Sequence, residues 1–80
     1  MTDPELLGRI SVDPRVMVGK PTIRGLRITL GQVLAFLAAG MSTAALLEEY
    51  PELEPDDIRA ALLYASHLVD DEQVYEVHSA

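Results

Sequence analysis

Three cations, Lys20, Arg24 and Arg27, fall within eight positions of this 80-residue chain, with glycines at 19 and 25. Glycine permits positive φ and close backbone approach. The planar guanidinium of arginine binds phosphate or carboxylate through paired hydrogen bonds. The pattern is compatible with an anion-contacting surface, or with a turn-rich hairpin whose cations neutralise acidic residues of the same protein. It does not match a Walker loop, because the glycine spacing before Lys20 is absent.

No residue pattern in the sequence is typical of a catalytic or metal centre. His67 and His78 are eleven positions apart, whereas a helical metal-binding pair is three or four apart. The four serines lack a nearby histidine and acid, and there is no cysteine to serve as nucleophile or ligand. The adjacent carboxylates at 56–57 and 70–72 are interpreted as a helix cap and a solvated face. We therefore expect no enzymatic activity, no cofactor and no metal.

Charge is divided unevenly along the chain. The net charge is −7, but residues 1–40 hold five bases and three acids, whereas residues 41–80 hold one base and ten acids. The halves therefore carry +2 and −9. The net charge of the whole chain disfavours a general polyanion binder, and its division makes a charged protein partner more plausible than naked DNA.

Residues 1–28 are predicted to form a short β-hairpin or arm. Asp3-Pro4 and Asp13-Pro14 are turn-starting pairs. Between the turns lie short runs rich in β-branched or apolar residues. These runs are 10–12, 16–18, 22–23 and 26–28.

Residues 29–69 are predicted to form three helices. Thr29 and Gln32 make a capping box for the first, and Gly40 suits the left-handed position after its end. Ser42 caps the second helix, and the third begins near Pro55 and runs to about Val69. The predicted core stripes are Leu30, Val33, Leu34 and Leu37, then Thr43, Leu46, Leu47 and Tyr50, then Ile58, Ala61, Leu62, Ala65 and Leu68.

A second strip on the third predicted helix, formed by Ala60, Leu63 and His67, is compatible with a dimer contact or with an incidental exposed leucine. Residues 70–80 form an acidic tail that either pairs with a partner as a strand or frays.

The chain is thus predicted to be one mainly α domain over 1–80: a helix-turn-helix-like bundle with a short N-terminal β-hairpin or arm. With neither a signal peptide nor a spanning segment, it is expected in the cytoplasm, with no membrane contact.

Four segments together resemble a bacterial and archaeal family, domain of unknown function 433, whose members are small VapB-type antitoxin-like proteins. The segments are GKPTIRGLRI at 19–28, LAAGMS at 37–42, YPEL at 50–53 and DDIRAAL at 56–62, and the resemblance covers about residues 10–68. It implies a homeodomain-like helix-turn-helix with a β-arm, and pairing with a PIN-like ribonuclease toxin that the antitoxin inhibits. The family often has threonine or serine where Glu54 stands, which bears on how the third helix is capped.

The resemblance and the charge division favour an antitoxin-like regulator that neutralises a PIN-like ribonuclease and regulates its own operon by binding operator DNA. Arg24 and Arg27 are predicted to contact the carboxylates that hold the nuclease's magnesium. The full set of predicted partner- or nucleic-acid-binding residues is Lys20, Arg24, Arg27, Arg15 and Arg59. A homodimer or hetero-oligomer is expected.

Two alternatives stay open. One is a stand-alone dimeric helix-turn-helix regulator that binds DNA. The acidic N-terminus of the third predicted helix, at Asp56 and Asp57, argues against it because carboxylates repel phosphates. The other is an interaction module in which the cations serve only internal salt bridges.

Overall fold

A computed structural model describes residues 1–71, which form four α-helices and one two-stranded antiparallel sheet. In chain order the elements are α1 (Asp3–Leu7), β1 (Ile10–Ser11), a 3₁₀ turn (Met17–Gly19), β2 (Thr22–Ile23), α2 (Leu30–Ala38), α3 (Thr43–Glu49) and α4 (Pro55–Asp71). The fold is mainly α, as predicted. Within the described residues, no helix is both long enough and apolar enough to cross a membrane.

Helix α1 lies where the sequence analysis predicted only an extended arm, and that prediction is wrong. Thr2 and Glu5 form a capping box, with the Thr2 hydroxyl accepting from the Glu5 N–H and the Glu5 carboxylate accepting from the Thr2 N–H. Pro4 lies in the first turn, where its missing N–H would have no partner in any case. The helix packs against α4 and buries Leu6.

The predicted hairpin is present in reduced form. Ile10 pairs with Ile23 and Ser11 with Thr22, and an isolated bridge joins Thr22 to Thr29 at the start of α2. Of the four predicted extended runs, only the first and third contain strand residues. The run at 16–18 leads into the 3₁₀ turn, and the run at 26–28 is a loop that delivers Ile28 to the core.

The predicted starts of the three later helices are confirmed. The Thr29 hydroxyl accepts from the Gln32 N–H at 3.0 Å, while the Gln32 side chain accepts from the Thr29 N–H at 2.9 Å. Ser42 accepts from the Ala45 N–H at 3.1 Å. Gly40 follows α2 with φ of +99°, the left-handed conformation that glycine adopts most readily. Helix α4 continues to Asp71, so it includes two residues that were assigned to the acidic tail, and 72–80 lie outside the described residues.

The core lies between the arm, α2, α3 and the first half of α4. Its buried cluster consists of Ile23, Ile28, Leu30, Val33, Leu46, Leu53, Ile58 and Ala61. Two residues of the predicted α4 stripe are exposed, Leu62 at 51% and Leu68 at 46%, and Ala65 is half-buried. Conversely, Ala60, predicted to lie on a second, outer strip, is fully buried. Helix α1 packs on α4, and this unforeseen contact changes which α4 positions are covered.

Candidate functional site

Asp57, in the first turn of α4, is the centre of a charged network, and its side chain is fully buried. Arg24 donates to both carboxylate oxygens, from Nε at 3.0 and 3.2 Å and from Nη2 at 2.9 Å. Arg9 donates from Nη1 to Oδ1 at 2.9 Å, and the Glu54 backbone N–H donates to Oδ2 at 2.8 Å. A carboxylate away from water needs such partners, because an unpaired buried charge is strongly destabilising. The predicted cap residue Asp57 is therefore also a buried, ion-paired carboxylate, which the sequence analysis did not anticipate.

The two arginines have further partners that join the arm to α4. Arg9 Nη1 also donates to Glu54 Oε1 at 2.8 Å, and Arg24 Nη2 donates to the Glu52 carbonyl at 2.6 Å. The backbone N–H of Arg24 donates to the Arg9 carbonyl at 2.7 Å. The arm is thus held on the helical body by charge-assisted bonds as well as by apolar packing.

Asp57, Arg9 and Arg24 are all charged at neutral pH. Burial on its own raises the pKa of Asp57, but the hydrogen bonds from Arg24, the Glu54 N–H and Arg9 outweigh it and hold that pKa below its ordinary value. Hydrogen bonds to Glu54 and Asp57 raise the pKa of Arg9, and hydrogen bonds to Asp57 raise the pKa of Arg24. The network is consequently suited to holding structure rather than to exchanging protons near pH 7.

A tight turn aims Arg24 at Asp57. The Leu26 N–H donates to the Ile23 carbonyl at 2.8 Å, which closes the turn around Arg24 and Gly25. Both central residues have positive φ, +48° and +73°, the pattern of a type I′ turn. Glycine adopts this conformation freely, which explains why a glycine follows Arg24 in the turn.

Asp57 also caps α4, whose N-cap position is occupied by Glu54. The bond from the Glu54 N–H to Asp57 Oδ2 is the backbone half of a capping box. The Glu54 side chain is turned to Arg9 instead. The cap prediction for the Asp56-Asp57 pair is therefore confirmed for Asp57.

The structure separates the five predicted binding residues into two groups. Arg24 faces Asp57, Arg15 donates to Asp13 at 3.1 Å, and Arg59 donates to Asp56 at 3.2 Å. Lys20 and Arg27 are exposed, and neither forms an ion pair within residues 1–71. Lys20 and Arg27 are thus the two cations that make no ion pair within the described part of the chain.

Lys20 borders an open, largely apolar groove of about 510 Å³. The groove runs between the first turns of α2, including Gly31, Leu34 and Ala35, and Leu68 on α4. The Leu30 N–H donates to the Pro21 carbonyl at 2.8 Å, which fixes the Lys20-Pro21 segment against the start of α2. The groove joins residues 48 positions apart, so no local pattern in the sequence identifies it.

The 3₁₀ turn before Lys20 has a strained backbone and carries one highly exposed residue. Met17, Val18 and Gly19 all have positive φ, at +50°, +58° and +81°. For β-branched valine this is an outlier, and such strain is common at binding sites. The Val18 side chain is 91% exposed, so the strain is not offset by burial.

Among the described residues, no group of three or more histidine, cysteine or acidic side chains is arranged to hold a metal ion. His67 is exposed on α4. His78 and most of the predicted acidic tail lie outside the described residues.

Sequence reasoning missed two features of the site. Arg9 was not singled out, although it is the second arginine on Asp57, and Asp57 was not expected to be buried. The one available signal was the Asp-Asp pair after Pro55, since a carboxylate at the third helical position is suited to capping the helix start.

The fold and the site define a small, mainly helical domain whose β-arm is ion-paired to its last helix and whose Lys20 and Arg27 form no ion pair with any of the described residues. The chain belongs to the family described as protein of unknown function (DUF433), whose model matches residues 10–65. It is 38% identical over 56 residues to an uncharacterized protein, y4eO, of Sinorhizobium fredii (strain NBRC 101917 / NGR234), a match covering 70% of this chain and 25% of that protein. The matched part is thus about a quarter of the relative's length. No solved structure matches the chain.

Proposed function

We propose that this protein is a non-enzymatic, antitoxin-like regulator whose exposed cations bind an acidic surface of a PIN-like ribonuclease and inhibit it. The observation that carries the proposal is the separation of the cations. Four of the six are paired to carboxylates of the same chain, whereas Lys20 and Arg27 have no such partner in residues 1–71.

The surface around Lys20 combines charge with apolar area. Lys20 stands beside the groove that Leu34 and Leu68 help to line, and the exposed Val18 lies two residues away. A partner that places a carboxylate against Lys20 and apolar side chains in the groove would satisfy both features. Nucleases that hold magnesium with clustered carboxylates present such negative charge, and an inserted cation would compete with the metal.

The finer description of the fold also belongs to this proposal. Helices α2, α3 and α4 follow one another through short connections, 39–42 and 50–54, which suits a homeodomain-like helix-turn-helix. DNA binding by α4 is disfavoured by charge, because its first turn carries the carboxylates of Asp56 and Asp57 and Arg59 is its one Lys or Arg.

The test begins with co-purification of the tagged full-length chain from its source, identification of any nuclease that accompanies it, and an RNA-cleavage assay with both purified components. The unaltered chain should inhibit cleavage. Lys20→Glu and Arg27→Glu should each weaken inhibition at least tenfold and make it less sensitive to salt, because they remove charge pairs to the partner.

Arg15→Glu is the matched control, because Arg15 is also exposed but is paired to Asp13 and does not line the groove. It should leave inhibition unchanged. If all three variants inhibit equally, Lys20 and Arg27 do not form the binding surface. If no nuclease is inhibited and the chain alone binds one DNA sequence tightly at moderate salt, the DNA-binding alternative replaces the proposal.

A further inference from the structure

One face of α4 carries apolar side chains that no element of residues 1–71 covers. Leu62 is 51% and Val69 68% exposed, and each residue from Ser66 to Asp70 is exposed. At 3.6 residues per turn, Arg59, Leu62, Ser66, Val69 and Asp70 fall within an arc of about 100°. They therefore form one continuous stripe, which we call the α4 face.

The charges on the α4 face are placed at opposite ends. Arg59 and Asp70 are eleven positions apart, about 16 Å along the helix, and differ by about 20° around its axis. In an antiparallel pair of α4 helices, Arg59 of each copy would face Asp70 of the other. A parallel pair would instead place like charges together, which is unfavourable.

Ser66 lies near the middle of the α4 face and suits a close helix–helix contact. Its hydroxyl donates to the Leu63 carbonyl of the same helix at 2.8 Å, so covering it leaves no donor without a partner. Its small side chain lets the helices approach. With the two-fold axis midway between 59 and 70, Leu62 of one copy lies level with position 67 of the other, between Ser66 and Val69.

The ion pair that Arg59 already makes does not prevent this arrangement. The Arg59–Asp56 pair is a single contact of 3.2 Å between side chains that are 61% and 36% exposed. Such exposed pairs contribute little, so Arg59 can exchange Asp56 for Asp70 of a second copy at little cost.

We propose that the α4 face binds a second copy of this chain in an antiparallel, two-fold symmetric dimer. The surface used is distinct from Lys20 and Arg27, so the proposal does not depend on the nuclease partner. One helix pair covers less than the roughly 800 Å² per partner of a standard interface. The dimer should accordingly dissociate at roughly 10 to 1000 µM.

The test is sedimentation equilibrium of the full-length chain from micromolar to millimolar concentration. Leu62→Glu should leave the protein monomeric throughout without changing its circular dichroism, because Leu62 is half exposed. Val12→Glu is the matched control: Val12 is 57% exposed but lies outside α4, so this variant should dimerise normally.

Charge reversal tests the antiparallel geometry. Arg59→Glu and Asp70→Arg should each weaken the dimer about tenfold, because each affects two symmetry-related pairs. Combining them should restore the original dissociation constant. A chain that is monomeric at millimolar concentration, a dimer that survives Leu62→Glu, or a double reversal weaker than both single variants would each overturn the proposal.

Discussion

Replacing Arg24 with alanine should destabilise the fold by more than the partial exposure of its side chain suggests. Arg24 supplies three of the five hydrogen bonds that reach the Asp57 carboxylate, and it also binds the Glu52 carbonyl. The variant would leave the buried carboxylate with Arg9 and the Glu54 N–H alone. Breaking a buried ion pair costs about 3 to 5 kcal/mol. We expect about 3 kcal/mol here, since Arg9 still neutralises part of the charge.

That loss is large for a chain of this size. A domain of 80 residues is stable by about 4 to 12 kcal/mol. For such a domain each kcal/mol corresponds to about 4 to 8 °C in Tm, so Arg24→Ala should lower Tm by about 12 to 24 °C. Arg27→Ala is the matched control, because Arg27 is exposed and has no ion pair within residues 1–71. It should change stability by less than about 0.5 kcal/mol.

The assay is urea unfolding followed by circular dichroism, with thermal unfolding as a second measurement. An unchanged m-value would confirm that the native state, rather than the denatured state, is affected. A double-mutant cycle with Asp57→Ala should give a coupling of at least about 1 kcal/mol. If Arg24→Ala costs no more than Arg27→Ala, the network does not hold the arm on α4.

Three further predictions concern the acid stability of the Asp57 network and the backbone conformation at Val18, Gly40 and Gly31. Because the pKa of folded Asp57 lies below its unfolded value, its stabilising contribution is complete above about pH 4 and is lost as pH falls through the folded pKa. Acid unfolding of Asp57→Asn should therefore show a shallower pH dependence than the unaltered chain, and an identical slope would contradict this. Val18→Asn should raise stability by about 0.5 to 1 kcal/mol in the same urea assay, since asparagine tolerates the left-handed conformation and little burial is lost. Gly40→Ala should lower the free energy of unfolding by about 1 kcal/mol, because Gly40 has a positive φ. Gly31→Ala should raise it by up to about 1 kcal/mol, because Gly31 lies inside α2 with ordinary space for a Cβ. Changes of the same sign in the two variants would refute this reasoning.

The parts of the fold predicted from the sequence are those that local chemistry determines. A hydroxyl followed three residues later by an acceptor defines a helix start, as at Thr29, whatever the rest of the chain does. The same signal exists at Thr2 and Glu5, but the Asp3-Pro4 pair was interpreted as a turn. A proline in the first helical turn is equally compatible with a helix.

The parts that were missed depend on residues far apart in the chain. The burial of Asp57 requires Arg24 and Arg9, which lie 33 and 48 positions away, and no periodicity encodes those distances. Helical periodicity also does not show which positions of a helix the other elements of the domain cover. It places Leu62 and Leu68 on a plausible core stripe of α4, but both are about half exposed, because the elements packed on α4, including α1, cover other positions.

The division of charge between the halves of the chain acts first within the molecule. Arg9 and Arg24 from the basic half meet Glu54 and Asp57 from the acidic half, so the arm is an ion-paired part of the folded domain. A partner that binds Lys20 consequently meets a surface that is already formed, and no ordering of the arm opposes binding. The binding free energy at that surface should then depend on salt, through Lys20, far more than the folding free energy does, because the Asp57 network is shielded from ions.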